Sequence, residues 1–588
     1  MNARDWVIRR ADPSVVATLS AELGISKPAA VVLAGRSIAD PDAARRYLNP
    51  STADLHSPKL LPDIDAAVGR LLRALDQKEH ILIHGDYDAD GLTATALLFR
   101  ALRNLGANVS YHVPHRIREG YDIRDATVRW AAERGVTLIV TVDCGVGAVE
   151  AIEEAARLGV DVLVTDHHHP GPTLPPALAV VNPVRQDSSY PFGGLAGVAV
   201  ALKLVCALCE AKGIPTASAH RAYLDLVALG TCADVSPLVD ENRALVKLGL
   251  EQLSVSKKPG IQALMAEAGV GGNGPVTVWN VGFALAPRLN AAGRLHDPTE
   301  ALELLLTNDE AEAQRLARQL GESNAQRRSE QERILAEAKA QVNVAELART
   351  RMLVVSGEGW HPGVVGIVAG RLTEAYRRPT AVIAVDGDSA RGSARSIGSF
   401  HLVKALDRCS DLLERYGGHR LAAGFDVRVE NIPALKQRLQ DVAQEMVSDD
   451  DLRDELEIDA WVDTRDLVPD LWREVEMMEP FGEGNPAPLF ASRMLILGVQ
   501  QFGRNSEHLR MTVRGEGMIP MEAIWWRRGA LAERLRPGTE CDLCYKLDVN
   551  RYGGRETIRL SVEDMRTGPS APPGMEEDAY DPFQPDRD

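Results

Sequence analysis

His80-Ile81-Leu82-Ile83-His84-Gly85-Asp86-Tyr87-Asp88-Ala89-Asp90-Gly91 is an apolar run that breaks into an acidic, Gly-flanked turn. The run has the composition of a strand covered on both faces. Residues 92–104, which follow it, read as a helix. The same rhythm returns downstream, with 109–113 leading into 125–134 and 138–143 into 148–158. The run 160–166 then leads into a proline-rich loop and 179–182. Strands alternating with helices give βαβ units and a mostly parallel sheet. In such sheets ligands gather at the carboxyl ends of the strands.

Acidic residues and histidines concentrate at those ends. Val140-Thr141-Val142-Asp143-Cys144-Gly145, Val164-Thr165-Asp166-His167-His168 and Leu229-Gly230-Thr231-Cys232-Ala233-Asp234 each read as an apolar strand followed by a candidate ligand, as His84, Asp88 and Asp90 follow theirs. A lone aspartate in such a place is most often a helix N-cap. Four segments together converge on one crevice. Asp88, Asp90, Asp143 and Asp234 bring four negative charges, which two divalent cations would balance. Unbalanced, they could not share a partly dry pocket without large pKa shifts. Carboxylate mixed with imidazole suits Mn²⁺, Mg²⁺ or Zn²⁺ rather than Ca²⁺ or a thiolate-bound metal. The i, i+2 spacing of Asp88 and Asp90 lets neighbouring carboxylates reach adjacent ions. This chemistry is that of a two-metal hydrolase of phosphate esters or anhydrides.

His84-x-x-x-Asp88-x-Asp90, Asp143, Asp166-His167-His168 and Asp234 resemble the four motifs of the DHH phosphoesterase superfamily. Gly417-Gly418-His419-Arg420-Leu421-Ala422-Ala423-Gly424-Phe425 resembles the GGH motif of its DHHA1 domain. The stretches 225–238, 287–295, 361–372 and 480–488 narrow the resemblance to the RecJ family of single-strand-specific 5′→3′ exonucleases, over residues 55–565. The resemblance implies an α/β chain. A parallel-sheet DHH domain (55–300) is joined by a connecting helix (301–345) to a smaller α/β DHHA1 domain (346–447) and followed by an OB-fold barrel (456–566). Residues 1–54 would be a partly helical extension and 567–588 a disordered acidic tail.

The resemblance also assigns residues. His84, Asp88, Asp90, Asp143, His167 and Asp234 match metal ligands for two Mn²⁺ or Mg²⁺ ions. His168 matches the residue that contacts the scissile phosphate, and Asp166 and Asp86 look like groups that orient ligands. Gly418 and His419 would let backbone N–H groups approach a phosphate. Arg116, Arg288, Asn290, Arg395 and Ser396 are candidates near the scissile or terminal phosphate, where guanidinium forks suit phosphate oxygens. Asp122 departs from the family's usual Gly and adds a negative charge beside that loop. His169 extends the triplet and reads as a solvated loop residue.

Composition bounds the remainder. A chain of 588 residues is too long for one core. The N-terminus is charged with no apolar signal-peptide core, and no run is long enough to span a membrane, so a cytoplasmic protein is expected. The seven cysteines are expected as reduced thiols, and Cys206/Cys209 and Cys541/Cys544 as core residues. A net charge of −17 is awkward for a nucleic-acid enzyme. The tail carries −5 of it and the linker 448–459 another −6, which leaves −6 for the folded domains. The stretch 309–342 lacks apolar periodicity and reads as a solvent-bridging helix between domains. In the barrel, Phe481, Phe502, Trp525, Trp526, Tyr545 and Tyr552 are interleaved with arginines and lysines, as single-strand binding needs. Half of these rings are expected in the core, and at most one of Trp525 and Trp526 exposed.

Three readings stand at this point: a single-strand exonuclease, a DHH phosphoesterase of short oligonucleotides or cyclic dinucleotides, and a catalytically inactive DNA-binding scaffold. The intact ligand set counts against the scaffold and the extra barrel against the small substrate. The expected partners are single-stranded DNA, a single-strand-binding protein and a repair helicase, with no membrane, and the chain is expected as a monomer.

Overall fold

The computed structural model describes residues 4–567 apart from 117, 273, 348, 553 and 554. The acidic tail lies outside the described residues. Two compact units form, one from His56–Ser236 with Gly249–Arg453, the other from Met1–Leu55, Pro237–Leu248 and Asp454–Asp588.

The first unit holds two sheets. In the first, Asn108–His112, His80–Gly85, Leu138–Val142, Asp161–Thr165 and Ala179–Val181 lie side by side, all parallel. Leu138–Val142 is buried throughout, as a run of Leu, Ile and Val covered by helices on both faces must be. The chain-order first strand therefore lies second in space, and the strand order reverses between His80–Gly85 and Leu138–Val142. A crevice opens outside the carboxyl ends at such a switch point. The second sheet runs Leu413–Gly418, Ala422–Arg428, Ser389–Arg395, Thr380–Asp386, Leu353–Glu358, with only the last pair parallel.

One strand of the second sheet lacks hydropathic signal, and one expectation fails. The Gly/Ser/Arg-rich segment is a central strand, Ser389–Arg395, whose Ala390, Gly392 and Ala394 face inward at period two while its polar residues face out. Helix Glu310–Ala340 does not bridge through solvent. It buries Ala313, Leu316, Ala317, Leu320, Asn324, Arg327, Ile334 and Ala338, a stripe at helical spacing in which small and polar residues dilute the three large apolar ones. That stripe packs on helices Pro259–Glu267, Ala286–Leu295 and Val365–Tyr376.

In the second unit, Phe490–Phe502, His508–Arg514, Met521–Trp525, Arg555–Thr567 and Glu540–Tyr552 pair in that order and close through Phe490–Phe502 with Glu540–Tyr552. This is a closed five-stranded OB barrel. Residues 4–54 are partly helical, with helices Pro13–Leu23, Lys27–Gly35 and Pro41–Leu48. Their helices give Leu19, Val32, Leu33 and Leu48 to the core that holds Phe490, Met511, Leu543 and Tyr545. Strand Asp5–Ile8 pairs in parallel with Glu455–Ile458.

Candidate active site

The acidic turn after His80–Gly85 is held from three directions. The Asp88 carboxylate caps helix Ala89–Asn104, accepting from the Asp90 and Gly91 N–H groups at 3.0 and 3.1 Å. Asn290 Oδ1 accepts from Ala89 N at 2.8 Å. Asp90 meets the N-terminus of helix Gly197–Ala211 and accepts from Gly197 N at 2.7 Å and Val198 N at 2.9 Å. Position 197 admits only glycine, because a Cβ there would stand 2.5 Å from Asp143 Oδ1. Asp143 itself follows Leu138–Val142 with φ +63°, a left-handed conformation that Asp tolerates.

Asp234 reaches the site from another kind of element. It caps the C-terminus of helix Thr216–Ala233 rather than a strand. A short apolar run does not distinguish a strand from a buried helix, and that ambiguity misled the sequence reading. The Ser236 hydroxyl donates to its Oδ2 at 2.5 Å.

Three groups of candidate ligands result, each with its ligand atoms within 4.8 Å of one another: Asp86, Asp88 and Asp143; Asp90, His167 and Asp234; Asp143, His167 and His168. Asp143 and His167 each belong to two groups. Asp86, expected to orient ligands, stands among them. Desolvation and then the neighbouring carboxylates push Asp86 and Asp143 up and raise Asp90 to about 7. Asp86 Oδ1, Asp143 Oδ1, His167 Nε2 and both ring nitrogens of His84 are buried without hydrogen-bond partners. His167 Nε2 stands 3.1 Å from Asp143 Oδ1, outside hydrogen-bond geometry. An unsatisfied buried polar atom costs about 1–3 kcal/mol. Orphaned oxygen and nitrogen atoms beside repelling carboxylates are a donor set that divalent cations fit. His84 lies outside the three groups and stacks on His112 at 5.4 Å. Burial lowers its pKa to about 3, so the ring is neutral, the form that binds metal.

Asp166 is the anchor of the triplet. It accepts from the backbone N–H groups of Val146, His167 and His168 and from His168 Nδ1 at 2.8 Å. Burial alone would raise its pKa, but the His168 hydrogen bond and charge outweigh that and hold it below the usual range. The Tyr121 hydroxyl stands 3.1 Å from the same His168 nitrogen, a neighbour the sequence reading left unassigned. His419, in the turn between Leu413–Gly418 and Ala422–Arg428, stacks over His168 at 6.4 Å. Gly418 adopts φ +140°, and a Cβ there would stand 2.5 Å from Ala422 O. The Asp122 carboxylate accepts from Ile123 N at 2.9 Å, and burial pushes its pKa up to about 6, which blunts the charge it adds.

The arginines sort differently from expectation. The Arg116 guanidinium lies 5.0 Å over the Tyr87 ring, and Arg395 donates to Ala394 O at 2.9 Å. Arg294 feels the charge of both and donates to Gly363 O at 3.0 Å. Desolvation and then the charges of Arg116, Arg327 and Arg395 lower its pKa to about 9. Arg288 instead donates to the carbonyls of Ala284 and Glu267, and the Ser396 hydroxyl to those of Ile397 and Phe400. One signal could have found Arg294. It lies four residues after Asn290 on helix Ala286–Leu295, and so shares its face.

On the barrel, Trp525 is buried and Trp526 is 46% exposed. The Phe502, His508 and Trp526 rings sit 4.9–5.8 Å apart, with Arg510 over Phe502 at 4.9 Å. Tyr545 is core, and the side chain of Tyr552 lies outside the described residues. All seven cysteines are free and buried.

Known families match this architecture segment by segment. The DHH family N-terminal domain matches residues 80–231, the DHHA1 domain 340–445 and the RecJ OB domain 458–564. The single-stranded-DNA-specific exonuclease RecJ of Bacillus subtilis is 37% identical over 562 residues, covering 95% of this chain and 70% of its own. The crystal structure of Thermus thermophilus RecJ in complex with Mn²⁺ superposes with a TM-score of 0.83 at 35% identity, over 97% of this chain and 81% of that one. The same organism's Mg²⁺ complex gives 0.78 at 33% identity, over 96% and 79%. With three domain matches in order and relatives this similar along nearly the whole chain, the protein belongs to the RecJ family of DHH phosphoesterases.

Proposed function

We propose that the protein is a Mn²⁺- or Mg²⁺-dependent exonuclease that hydrolyses single-stranded DNA in the 5′→3′ direction to mononucleotides, in DNA recombination and repair. The observation that carries this reading is the buried, mutually repelling cluster of carboxylates and orphaned imidazole nitrogens at the switch point of the parallel sheet. Asp88, Asp90, Asp143, His167, Asp234 and His84 would hold two ions, with Asp86 beside them. When bound, two such ions activate a water and stabilise the leaving oxygen of an in-line displacement.

The chain's own residues supply the rest. Asp166 fixes the orientation of His168 through Nδ1, leaving Nε2 for a phosphate oxygen. Arg116, Arg294 and Arg395 bring guanidinium groups together with no carboxylate paired to them among the described residues, a setting for a terminal phosphate. Such a phosphate marks one end of the strand and would set the polarity. In the other unit, the exposed Trp526 ring and the half-buried Phe502 ring beside Arg510 suit sequence-tolerant stacking. A single-strand-binding protein and a repair helicase are the protein partners that fit this role, with the chain acting as a cytoplasmic monomer. No described helix is long and apolar enough to cross a membrane.

Asp143→Ala tests the reading. Release of mononucleotides from a long 5′-labelled single strand should cease while single-strand binding survives. Turnover within about tenfold of the unaltered protein at saturating Mn²⁺ would overturn the assignment of Asp143. A cyclic dinucleotide assayed alongside should be a poor substrate.

A further inference from the structure

We infer that Glu119 is a positioning residue for recognition of the strand's terminal phosphate, because it braces the loop that carries Arg116. The inference rests on the terminal-phosphate reading of the arginine cluster, and it adds a residue that belongs neither to that cluster nor to the metal site.

The loop covers residues 113–124, from the end of strand Asn108–His112 to helix Asp125–Glu133, and its described residues form no helix or strand. Loops of about 12 residues or more without regular structure are uncommon and mostly functional. This one carries Arg116, whose guanidinium lies over the Tyr87 ring, and Tyr121, whose hydroxyl meets His168 Nδ1. Both of its flanks are hollow. One borders a cavity of about 530 Å³ lined in part by His115, Arg118, His296 and Asp297. The other borders a cavity of about 340 Å³ lined in part by Tyr121, Asp122, Gly147 and Val149. Packing alone therefore does not fix where Arg116 stands.

Hydrogen bonds converge on Glu119 instead. Its Oε1 accepts from His115 N at 2.8 Å and its Oε2 from His112 Nε2 at 3.0 Å. Its own N–H donates to His115 O at 2.8 Å, and Gly120 N donates to the same oxygen at 3.3 Å. The segment 115–120 is thereby closed into a tight turn with Arg116 inside it, and the carboxylate fastens that turn to the last residue of the strand. That residue is a fixed point. His112 pairs with His84 in the parallel sheet, stacks on its ring at 5.4 Å and lies against Trp130 at 5.5 Å. The Glu119 side chain is 36% exposed and that of His112 25%. A pair so exposed adds little to global stability. Its effect is local, on a loop whose guanidinium must meet phosphate oxygens at hydrogen-bond distance. A misplacement of about 1 Å at such a contact can cost about a hundredfold.

The test compares the full chain on a single strand ending in a 5′-phosphate and on the same strand ending in a 5′-hydroxyl, at saturating Mn²⁺. Only the first cut is read, because later cuts start from a new end. Glu119→Ala should raise KM for the phosphorylated strand about tenfold with kcat within about twofold, the sign of lost uniform binding. KM for the hydroxyl strand and Tm should not move. Glu119→Gln should behave as the unaltered chain, since its amide accepts from His115 N and donates to His112 in the ring's other tautomer. In an Arg116→Ala background Glu119→Ala should add nothing further, because it acts through that guanidinium. An equal rise in KM on both strands, or a fall in kcat on both, would overturn the inference by assigning Glu119 to the fold or to the metal site. Unchanged KM on the phosphorylated strand would sink it as well, and so would a full second loss on top of Arg116→Ala. If the unaltered chain and Arg116→Ala both treat the two strands alike, the terminal-phosphate reading itself falls, and the inference falls with it.

Discussion

His84→Leu separates a metal ligand from a packing residue. His84 is fully buried, both of its ring nitrogens lack partners, and its pKa is lowered to about 3. In the metal-free protein it therefore bears an unsatisfied polar ring, a penalty of about 1–3 kcal/mol. Leucine is similar in size and has no polar atom, so the metal-free variant should be more stable by about 2 kcal/mol. The unit it occupies (56–236 with 249–453) has roughly 390 residues and an unfolding entropy of about 0.8 kcal/mol per degree, so Tm should rise by about 2–3 °C in chelator. With Mn²⁺ at about a hundred times its Kd, each ion should stabilise the unaltered protein by about 2.7 kcal/mol. The variant should lose at least one ion's share of that shift. Calorimetry with and without Mn²⁺ reads both quantities. A metal-free Tm several degrees lower, with an undiminished Mn²⁺ shift, would show that His84 only packs against His112.

Two further expectations follow from the site and the barrel. Asp90, with its folded-state pKa raised to about 7, holds a proton more tightly folded than unfolded. Its contribution is complete below about pH 4 and is lost as pH rises toward 7, on the order of 1.4 kcal/mol per pH unit. Asp90→Asn should remove that part of the pH dependence of Tm in chelator, and superimposable curves would refute it. Trp525→Ala should cost about 3–5 kcal/mol of stability. Trp526→Ala should leave stability nearly unchanged but weaken single-strand binding by about 1–3 kcal/mol, and a reversed order of effects in melting and binding assays would refute the assignment of faces.

The parallel sheet of the first unit was legible because its central strands are continuous Val/Ile/Leu runs, and the candidate ligands because each sits where such a run ends. Asp234 was found as a residue but given the wrong element, since period alone does not separate a buried helix from a strand. The strand Ser389–Arg395 was hidden because its inward residues are Ala and Gly, small enough to admit the Phe425 ring but without hydropathic signal. The long helix was misjudged because its buried face mixes Leu316, Leu320 and Ile334 with Ala, Asn324 and Arg327, which dilutes the apolar period. Arg294 escaped because charge pairing is a property of space. Arg288 and Arg294 look alike in sequence, and only the packed helix shows that Arg294 is the one close to the charges of Arg116 and Arg395.

The pairing of Asp5–Ile8 with Glu455–Ile458 has a consequence for how the chain is made. The first 55 residues leave the ribosome early, yet the barrel that completes their core begins some 400 residues later. At about 5–20 residues per second that is roughly 20–80 seconds of synthesis. Throughout that interval Leu19, Val32 and Leu33 lack the strands that bury them. The amino end is thus a passenger that waits for the carboxyl end. A chain stopped before residue 454 therefore carries an uncovered apolar amino terminus and is a natural target for chaperones and proteases.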